Sequence, residues 1–415
     1  MDHPGQGQVL GGRVSEERGA IAFAEKVLEL LDEGRYTATY KYAVLLALMD
    51  LCLERTQGSG APPEAVETPE LAEKIVEIYW PHTAPFGERT PEARVLRQNA
   101  SGQAEIVSAI TRFRSRHAPE AATSWQGRLA APKRYEALVR SVEWKLIEMP
   151  LPRLQRMGAA SADFVYEIGW TESIAKRTVD RYADGDVGVF DNRIYLKPGV
   201  GEYLLQLNGL LRPLIHRRWC AMVALLNKLE DSRLEEFLFG AERVPTVKVR
   251  AGLWEIQDKR CFYCDGRVVD PGKGHVDHFI PWARYPDNGI ENLVVADVTC
   301  NGDKSSSLAA GEHVTRWAAR LSSGGEVTAQ LAELAARTGW DRHAERTVSV
   351  ARGIYLALPH SAKLWLRRKK FVAVDQEAVR RALVPAAQGR PSGCHFLSAL
   401  SLRRIGEAPP RASRG

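Results

Sequence analysis

The stretch HVDHFIPWARYPDNGIENLVVADVTCNGDKS, residues 275–305, constrains the fold more than any other part of the chain. A core strand alternates apolar and polar side chains, yet the titratable pair Asp277-His278 stands where apolar residues would continue the alternation. The pattern predicts a strand from His275 to Phe279, a second strand from Leu293 to Ala296 and a helix from about Asn301. This order is a β-β-α unit that carries polar chemistry.

The spacing inside this unit predicts a metal site beside a general base. Asp277 on the strand and Asn301 on the helix can face one point, and Lys304 lies one turn beyond Asn301 on the same face. A carboxylate and an amide oxygen suit a hard cation such as Mg²⁺ or Mn²⁺. His278 can take a proton from an attacking water, and Asn292 can hold the imidazole by a hydrogen bond. We therefore predict metal-assisted phosphodiester hydrolysis.

Residues 251–317 resemble the HNH endonucleases, the ββα-metal nucleases, through the motifs CFYC, VDHFIPW, ENLVVAD and CNGDKS. The resemblance implies that Asp277 and Asn301 bind the divalent metal and that His278 activates water. It also implies that Asn292 orients His278 and that Lys304 touches phosphate. The expected activity is cleavage of DNA to 3′-hydroxyl and 5′-phosphate ends, in restriction, phage defence or mobile-element biology.

The same resemblance implies a structural zinc held by two Cys-x-x-Cys pairs. Cys261, Cys264 and Cys300 are present, but Asp297 occupies the fourth position. Zinc accepts a carboxylate oxygen, so a Cys₃Asp site is one alternative, and a metal-free unit held by hydrophobic packing is the other. A redox role for the Cys-x-x-Cys pair is disfavoured, because that motif begins a helix in a βαβ setting.

Charge is polarised along the chain, whose net charge is +6. Residues 251–310 hold six Lys or Arg against nine Asp or Glu, whereas residues 360–415 hold twelve against three. A basic C-terminal region favours a polyanionic partner. We predict nucleic-acid contacts from the segment KLWLRRKKF, with Trp365 stacking on a base, through Lys363, Trp365, Arg367, Arg368, Lys369 and Lys370. The alternative is a solvated helix face whose apolar residues pack inward.

Composition favours an ordinary globular protein, with 45% hydrophobic and 26% charged residues. The longest apolar run, Tyr42 to Leu53, contains Asp50 and is too short to cross a bilayer. The N-terminal residues lack the apolar region of a signal peptide, so we expect a cytoplasmic protein with no membrane partner. A disulfide framework is not expected of a large cytoplasmic chain.

The predicted fold class is α+β, mainly helical, with the ββα-metal nuclease unit flanked by helical domains. In the second domain VGVFDNRIYL predicts a hairpin turning at Asp191-Asn192, and Pro213 predicts a kink or break in the helix from Tyr203 to Leu229. The predicted boundaries fall near residues 130, 245 and 320. The segments are a disordered 1–17, helical 18–130, mainly helical 131–245, nuclease 246–320, helical 321–390 and a flexible basic tail 391–415.

Two other functions stay open at this point. The β-β-α unit can be a zinc-knuckle module that binds nucleic acid or regulates without catalysis, or the nuclease can be directed at RNA. The intact Asp277, His278 and Asn301 argue against a pure binding module, because binding does not need a general base.

Overall fold

The computed structural model describes residues 6–33, 37–87, 93–157, 160–161, 163–186, 188–230, 233–240, 245–322 and 324–384. The helices are Gln6–Glu33 (α1), Tyr40–Glu54 (α2), Thr68–Tyr79 (α3), Glu105–His117 (α4), Ser124–Ala130 (α5), Pro132–Glu148 (α6), Pro150–Arg153 (α7), Lys176–Ala183 (α8), Val200–Gln206 (α9), Asn208–Asn227 (α10), Leu234–Phe239 (α11), Val247–Ile256 (α12), Val298–Lys304 (α13), Gly311–Arg320 (α14), Glu326–Thr338 (α15), Ala344–Leu356 (α16) and Gln376–Leu383 (α17).

The strands are Ala65–Glu67 (β1), Arg156–Met157 (β2), Ala160–Ser161 (β3), Tyr166–Ile168 (β4), Arg193–Leu196 (β5), Gly274–His278 (β6), Leu293–Asp297 (β7), Lys363–Arg367 (β8) and Lys370–Ala373 (β9). Short 3₁₀ turns lie at Pro81–Thr83, Pro271–Lys273 and Ile290–Asn292. The predicted mainly helical α+β class is confirmed.

The central element of the core is α2, the longest apolar run of the sequence. Every residue from Tyr42 to Leu53 is buried, as expected of a helix that is apolar on all sides and enclosed by other helices. Helices α3, α9, α10 and α16 pack against it. Asp50, the one acid in the run, is ion-paired with the buried Arg212 of α10, which compensates the charge inside the core.

The first helix and the 207–227 region differ in detail from the predictions. Helix α1 begins at Gln6, so it covers most of the segment expected to be disordered, and its second half is anchored in the core by Phe23 and Val27. The predicted break at Pro213 is wrong in position. The division falls at Leu207, between α9 and α10, and Pro213 lies inside α10, near its first turns.

The predicted hairpin at Asp191-Asn192 is wrong, although the β-propensity of that segment is correct. Within the described residues 188–196 a single strand forms, β5, and it becomes the central strand of an antiparallel sheet in the order β1-β5-β4. The Asp191 carboxylate accepts hydrogen bonds from Arg193 and Tyr195. Asp191 therefore caps the start of β5 and does not form the turn of a hairpin. Partners distant in sequence therefore complete the sheet.

The β-β-α unit predicted at residues 275–305 is confirmed. Strands β6 and β7 pair antiparallel, with Asp277 opposite Val294 and His278 opposite Leu293. Helix α13 follows at once and packs against both strands, beginning three residues before the predicted start. Helix α12 precedes the unit and packs against both of its strands.

The basic segment forms a hairpin, so the alternative of a solvated helix face is wrong. Strands β8 and β9 pair antiparallel, and the turn residues Arg368 and Lys369 have φ of 44° and 59°. Two successive residues in the left-handed region make the tight turn that suits twisted antiparallel strands. The segment lacks the Gly or Asn that usually indicates such a turn, which is why its pattern read as a helix.

The described residues up to Val384 form one compact unit. Helix α16 packs against α2, so the C-terminal helices share a core with the N-terminal ones. The predicted boundaries near residues 130, 245 and 320 stay predictions. The expected basic tail at 391–415 lies outside the described residues.

Candidate active site

Strand β6 ends with the two residues on which the candidate site is centred. Asp277 is 9% exposed, and its Oδ2 accepts a hydrogen bond of 2.5 Å from the Tyr263 hydroxyl. The same oxygen lies 2.9 Å from Lys304 Nζ. Both partners of Asp277 therefore bind Oδ2. Its Oδ1 has no donor among the described residues.

Lys304 does not lie where the resemblance implied. Its side chain is fully buried, and Nζ donates to the His278 carbonyl at 2.9 Å besides pairing with Asp277. The Tyr263 ring lies 5.8 Å from the same ammonium. A buried, satisfied ammonium cannot also reach a phosphate in solvent, so Lys304 acts as the counter-ion of Asp277. The expected phosphate contact is therefore corrected.

Asn301 lies on α13 one helical turn before Lys304, and α13 packs against β6. The helix therefore presents Asn301 and Lys304 from the same segment toward the strand that carries Asp277. The structure brings Asp277 and Lys304 into contact, and it leaves the joint ligation of a metal by Asp277 and Asn301 as a prediction.

The imidazole of His278 is oriented by Asn288, not by Asn292. His278 Nε2 donates to Asn288 Oδ1 at 2.8 Å, which leaves Nδ1 with its lone pair. Asn292 is fully buried, and its amide bonds the backbone of Ile280 and Asp287. The predicted hydrogen bond between Asn292 and His278 is therefore wrong, because the amide is used to close the loop between the two strands.

The half-buried imidazole is set up as a neutral group. Burial lowers the pKa of His278 below its usual 6.5, and the hydrogen bond to Asn288 and the nearby Asp277 carboxylate only partly oppose this. The Trp282 ring covers it at a centroid distance of 5.3 Å. A neutral imidazole at pH 7 is the form that can accept a proton.

The loop that carries Asn288 is held by residues in α16 and in the segment just before it. The Trp340 indole donates to the Asn288 carbonyl at 2.6 Å. The next residue back, Asp287, is buried and accepts hydrogen bonds from Thr347 at 2.7 Å and from the Gly289 amide at 2.7 Å. The orientation of His278 therefore depends on chain segments far outside the β-β-α unit.

A second cluster lies at the other end of β7. The ligand atoms of Cys261, Cys264, Asp297 and Cys300 all lie within 4.8 Å of one another. Ligand atoms around a tetrahedral zinc lie about 3.8 Å apart when Zn–S is about 2.3 Å, so the cluster has suitable dimensions. Within the described residues, these three cysteines and one aspartate form a group that could hold a metal ion.

Asp297 has two roles in this cluster, one for each oxygen. Its Oδ1 accepts hydrogen bonds of 2.9 Å from the amides of Thr299 and Cys300, which caps the N-terminus of α13. Its Oδ2 lies 3.1 Å from Cys264 Sγ. A carboxylate therefore replaces a fourth cysteine at a position where the helix requires an N-cap acceptor.

Protonation in the cluster reflects burial and the shared carboxylate. Burial alone would raise the pKa of Asp297, but hydrogen bonds from the Cys300 amide and the surrounding thiols hold it well below its usual range. Burial raises the pKa of the Cys261 thiol to about 11. The three thiols thus surround one ionised carboxylate, an arrangement from which a metal can displace protons.

Comparison with known proteins identifies the unit that contains both clusters. Residues 261–310 match the family model described as HNH endonuclease. The chain carries an HNH endonuclease family domain. Its family implies nuclease activity on a nucleic-acid substrate, and the matched segment lies inside the 246–320 region predicted for the nuclease. No curated protein and no solved structure matches the chain.

The basic hairpin β8-β9 is joined to the HNH domain through Trp365. Trp365 is fully buried, and its backbone exchanges hydrogen bonds of 2.8 and 2.7 Å with Leu308 and Ala310, just after α13. Its ring contacts Tyr263 at 5.2 Å. Base stacking by Trp365 is therefore wrong. The exposed side chains of the hairpin include Lys363, Arg367, Arg368, Lys369, Lys370 and Phe371.

Two residues of the site escaped the sequence analysis. Tyr263 lies within CFYC, where the cysteines alone drew attention, although a buried tyrosine hydroxyl needs a partner. Asn288 lies in the dipeptide Asn288-Gly289, whose composition indicates a turn. None of the described helices is long and apolar enough to span a bilayer.

Proposed function

We propose that the protein is a divalent-metal-dependent endonuclease that hydrolyses DNA phosphodiester bonds with His278 as the general base. The observation that carries this proposal is the arrangement at the end of β6. The neutral imidazole of His278 is oriented by Asn288 and keeps Nδ1 for a proton. It adjoins the Asp277 carboxylate, whose Oδ1 has no donor among the described residues.

The donors fit a hard cation. Asp277 keeps Oδ1, because Tyr263 and Lys304 both bind Oδ2, and Asn301 would supply an amide oxygen from α13. Mg²⁺ or Mn²⁺ at these residues would neutralise charge that develops on the phosphate and its leaving oxygen. Tyr263 and Lys304 hold the carboxylate in place, so their role is to position Asp277.

The protein's own groups then perform the proton transfer. His278 Nδ1 takes a proton from a water whose oxygen attacks phosphorus, forming a new P–O bond. The bond from phosphorus to the 3′ oxygen breaks, and that oxygen leaves with a proton from solvent. The products are a 5′-phosphate and a 3′-hydroxyl. Asn288 keeps the imidazole in the tautomer with Nε2 protonated.

Zinc at the Cys₃Asp cluster would serve a structural purpose. The cluster joins the Cys261–Cys264 turn to the start of α13, and Tyr263 within that turn contacts Asp277. A bound Zn²⁺ would fix both the helix and the tyrosine relative to β6. The role of the HNH domain in restriction, phage defence or mobile-element biology is proposed by family analogy alone.

The test is a cleavage assay on four substrates with the full chain. Supercoiled plasmid, linear duplex, single-stranded DNA and RNA are incubated with Mg²⁺, Mn²⁺ or EDTA. We expect DNA cleavage with either metal and none with EDTA, leaving ends that a DNA ligase can rejoin. Cleavage of RNA alone would establish the RNA-directed alternative. Stoichiometric zinc and nucleic-acid binding without any cleavage would favour the non-catalytic module.

The basic hairpin is proposed as the phosphate-binding element of the nuclease. Replacing Arg368 by Asn and Lys369 by Gly removes both turn cations and supplies residues that favour the same left-handed turn. If each cation contacts one phosphate, the negative slope of log K against log salt concentration becomes smaller in magnitude by about 1.8. The measurement is fluorescence anisotropy of a duplex across a salt titration.

The matched control removes two exposed cations elsewhere. Lys133 and Arg134 are consecutive and exposed at the start of α6. The double variant Lys133→Ala, Arg134→Ala should keep the wild-type salt slope. If the magnitude of the salt slope decreases equally in both double variants, the effect is a general one of net charge. If it does not decrease in the hairpin variant, the hairpin is not part of the interface.

A further inference from the structure

A cavity of about 1230 Å³ lies beside the HNH domain, among α2, α3, α5, α10, α16 and the loop from Trp282 to Gly289. Its volume exceeds the range of about 300–1,000 Å³ usual for small-molecule sites. Its lining is rich in aromatic side chains that come from separate chain segments. They include Trp80, Phe86, Trp125, Phe239, Trp282 and Tyr285.

The cavity floor is charged and buried. Lys74 is 4% exposed and bridges Glu54 and Glu77, and Arg346 extends this network to Asp287. Arg212 is 2% exposed, and its Nε is a buried donor that has no hydrogen-bond partner among the described residues. A buried guanidinium that lines the cavity and has an unused donor can form a hydrogen bond with a bound acceptor.

Two further cations line the cavity. Arg55 and Arg128 line it with side chains about half exposed, each paired with a glutamate. Such surface pairs contribute about 0–1 kcal/mol, so they can be exchanged for a phosphate. The three kinds of lining group match the three parts of a nucleotide. Aromatic faces suit the planar base, the buried carboxylates suit its amino and imino donors, and the guanidinium groups toward solvent suit its phosphate.

One wall of the cavity is also the wall of the catalytic site. Trp282 and Asn288 both line the cavity. Trp282 packs on the His278 ring, and Asn288 accepts its Nε2–H. Any molecule that contacts these two side chains from the cavity is therefore one residue away from the general base.

We propose that this cavity binds a nucleotide, with the base between the aromatic walls, and that the bound nucleotide sets the position of Trp282 and Asn288 against His278. The binding itself is independent of the proposed endonuclease function, whereas the effect on His278 rests on it. The nucleotide has two sources: a free effector molecule, or an unstacked nucleotide of the substrate strand.

Binding is tested by calorimetry on the full chain, which needs no cleavage. The probes are the four ribonucleoside and four deoxyribonucleoside 5′-monophosphates and a single-stranded DNA hexanucleotide of mixed sequence. We expect saturable binding of at least one probe. The absence of saturable binding for every probe would overturn the proposal and would leave the endonuclease proposal intact.

Three variants locate the binding in the cavity. Trp125→Ala removes an aromatic wall, and Ala122→Trp fills the cavity from an exposed position that makes no side-chain hydrogen bond. Both variants should weaken nucleotide binding at least tenfold. Ala122→Trp should do so without changing the melting temperature. Trp144→Ala, a half-buried tryptophan that does not line the cavity, should bind normally. Undiminished binding by Ala122→Trp would place the ligand elsewhere.

The source and the coupling are separated by cleavage kinetics. If the nucleotide is a free effector, adding the monophosphate changes the cleavage rate even when the duplex is saturating. If it belongs to the substrate strand, the monophosphate instead competes with the duplex. Asn288→Ala should retain nucleotide binding and lose the rate change. A rate change of equal size in Asn288→Ala, or a monophosphate that neither alters the rate nor competes, would overturn the link to His278.

Discussion

Replacing Asp277 by Ala should abolish cleavage and lower the free energy of unfolding by about 3–5 kcal/mol. The loss of stability arises because Lys304 is fully buried and its ammonium would lose its carboxylate partner. Denaturant unfolding of the folded variant, followed by tryptophan fluorescence, gives the magnitude.

A double variant separates the two effects. Asp277→Ala with Lys304→Met removes the carboxylate and the buried charge together, and an apolar side chain of similar volume fills the space. We expect most of the lost stability to return while cleavage stays absent. If Asp277→Ala is as stable as the wild type, Lys304 is not a buried counter-ion. If the double variant cleaves DNA, Asp277 is not part of the catalytic site.

Loss of zinc should unfold the HNH domain. Binding of structural zinc to small folded sites contributes about 10–16 kcal/mol in peptides at pH 7, far more than a typical substitution. We therefore expect about one zinc per chain in the purified protein, and loss of both zinc and cleavage for Cys264→Ala. Elemental analysis measures the metal, and limited proteolysis reports the exposure of residues 261–310.

Cys220→Ala is the matched control for this experiment. Cys220 is a half-buried free cysteine outside the cluster. The control should retain zinc, protease resistance and cleavage. Protein that is folded and active with no zinc would instead support the metal-free alternative, in which the unit is held by hydrophobic packing and the hydrogen bonds of Asp297.

The β-β-α unit could be predicted because its signals are local. The Asp277-His278 pair, the two apolar runs and the polar start of α13 are close in sequence, and each element follows from its own residues. The hairpin β8-β9 could not be predicted in this way. Its turn uses Arg368 and Lys369 in a conformation that these residues rarely adopt, and its stability depends on Trp365 packing against Tyr263.

The partners within the site were harder to predict than its members. Asn292 and Asn288 are four residues apart, and which amide meets the imidazole depends on how the loop folds. Trp340, Asp341 and Thr347 fix that loop from a segment about 50 residues away. Lys304 has the spacing of a phosphate ligand, yet burial at the end of α13 directs its ammonium inward to Asp277. Contacts between distant segments decide such roles.

The role of His278 is tested most directly by metal-dependent plasmid cleavage with His278→Ala and His275→Ala. His275 lies on the same strand but is exposed and outside the site, so the two variants differ only in which imidazole is removed. We expect His278→Ala to lower the cleavage rate by about 10²–10⁴-fold and His275→Ala to leave it within about twofold. A folded His278→Ala variant that cleaves at the wild-type rate would contradict the assignment of His278 as the general base.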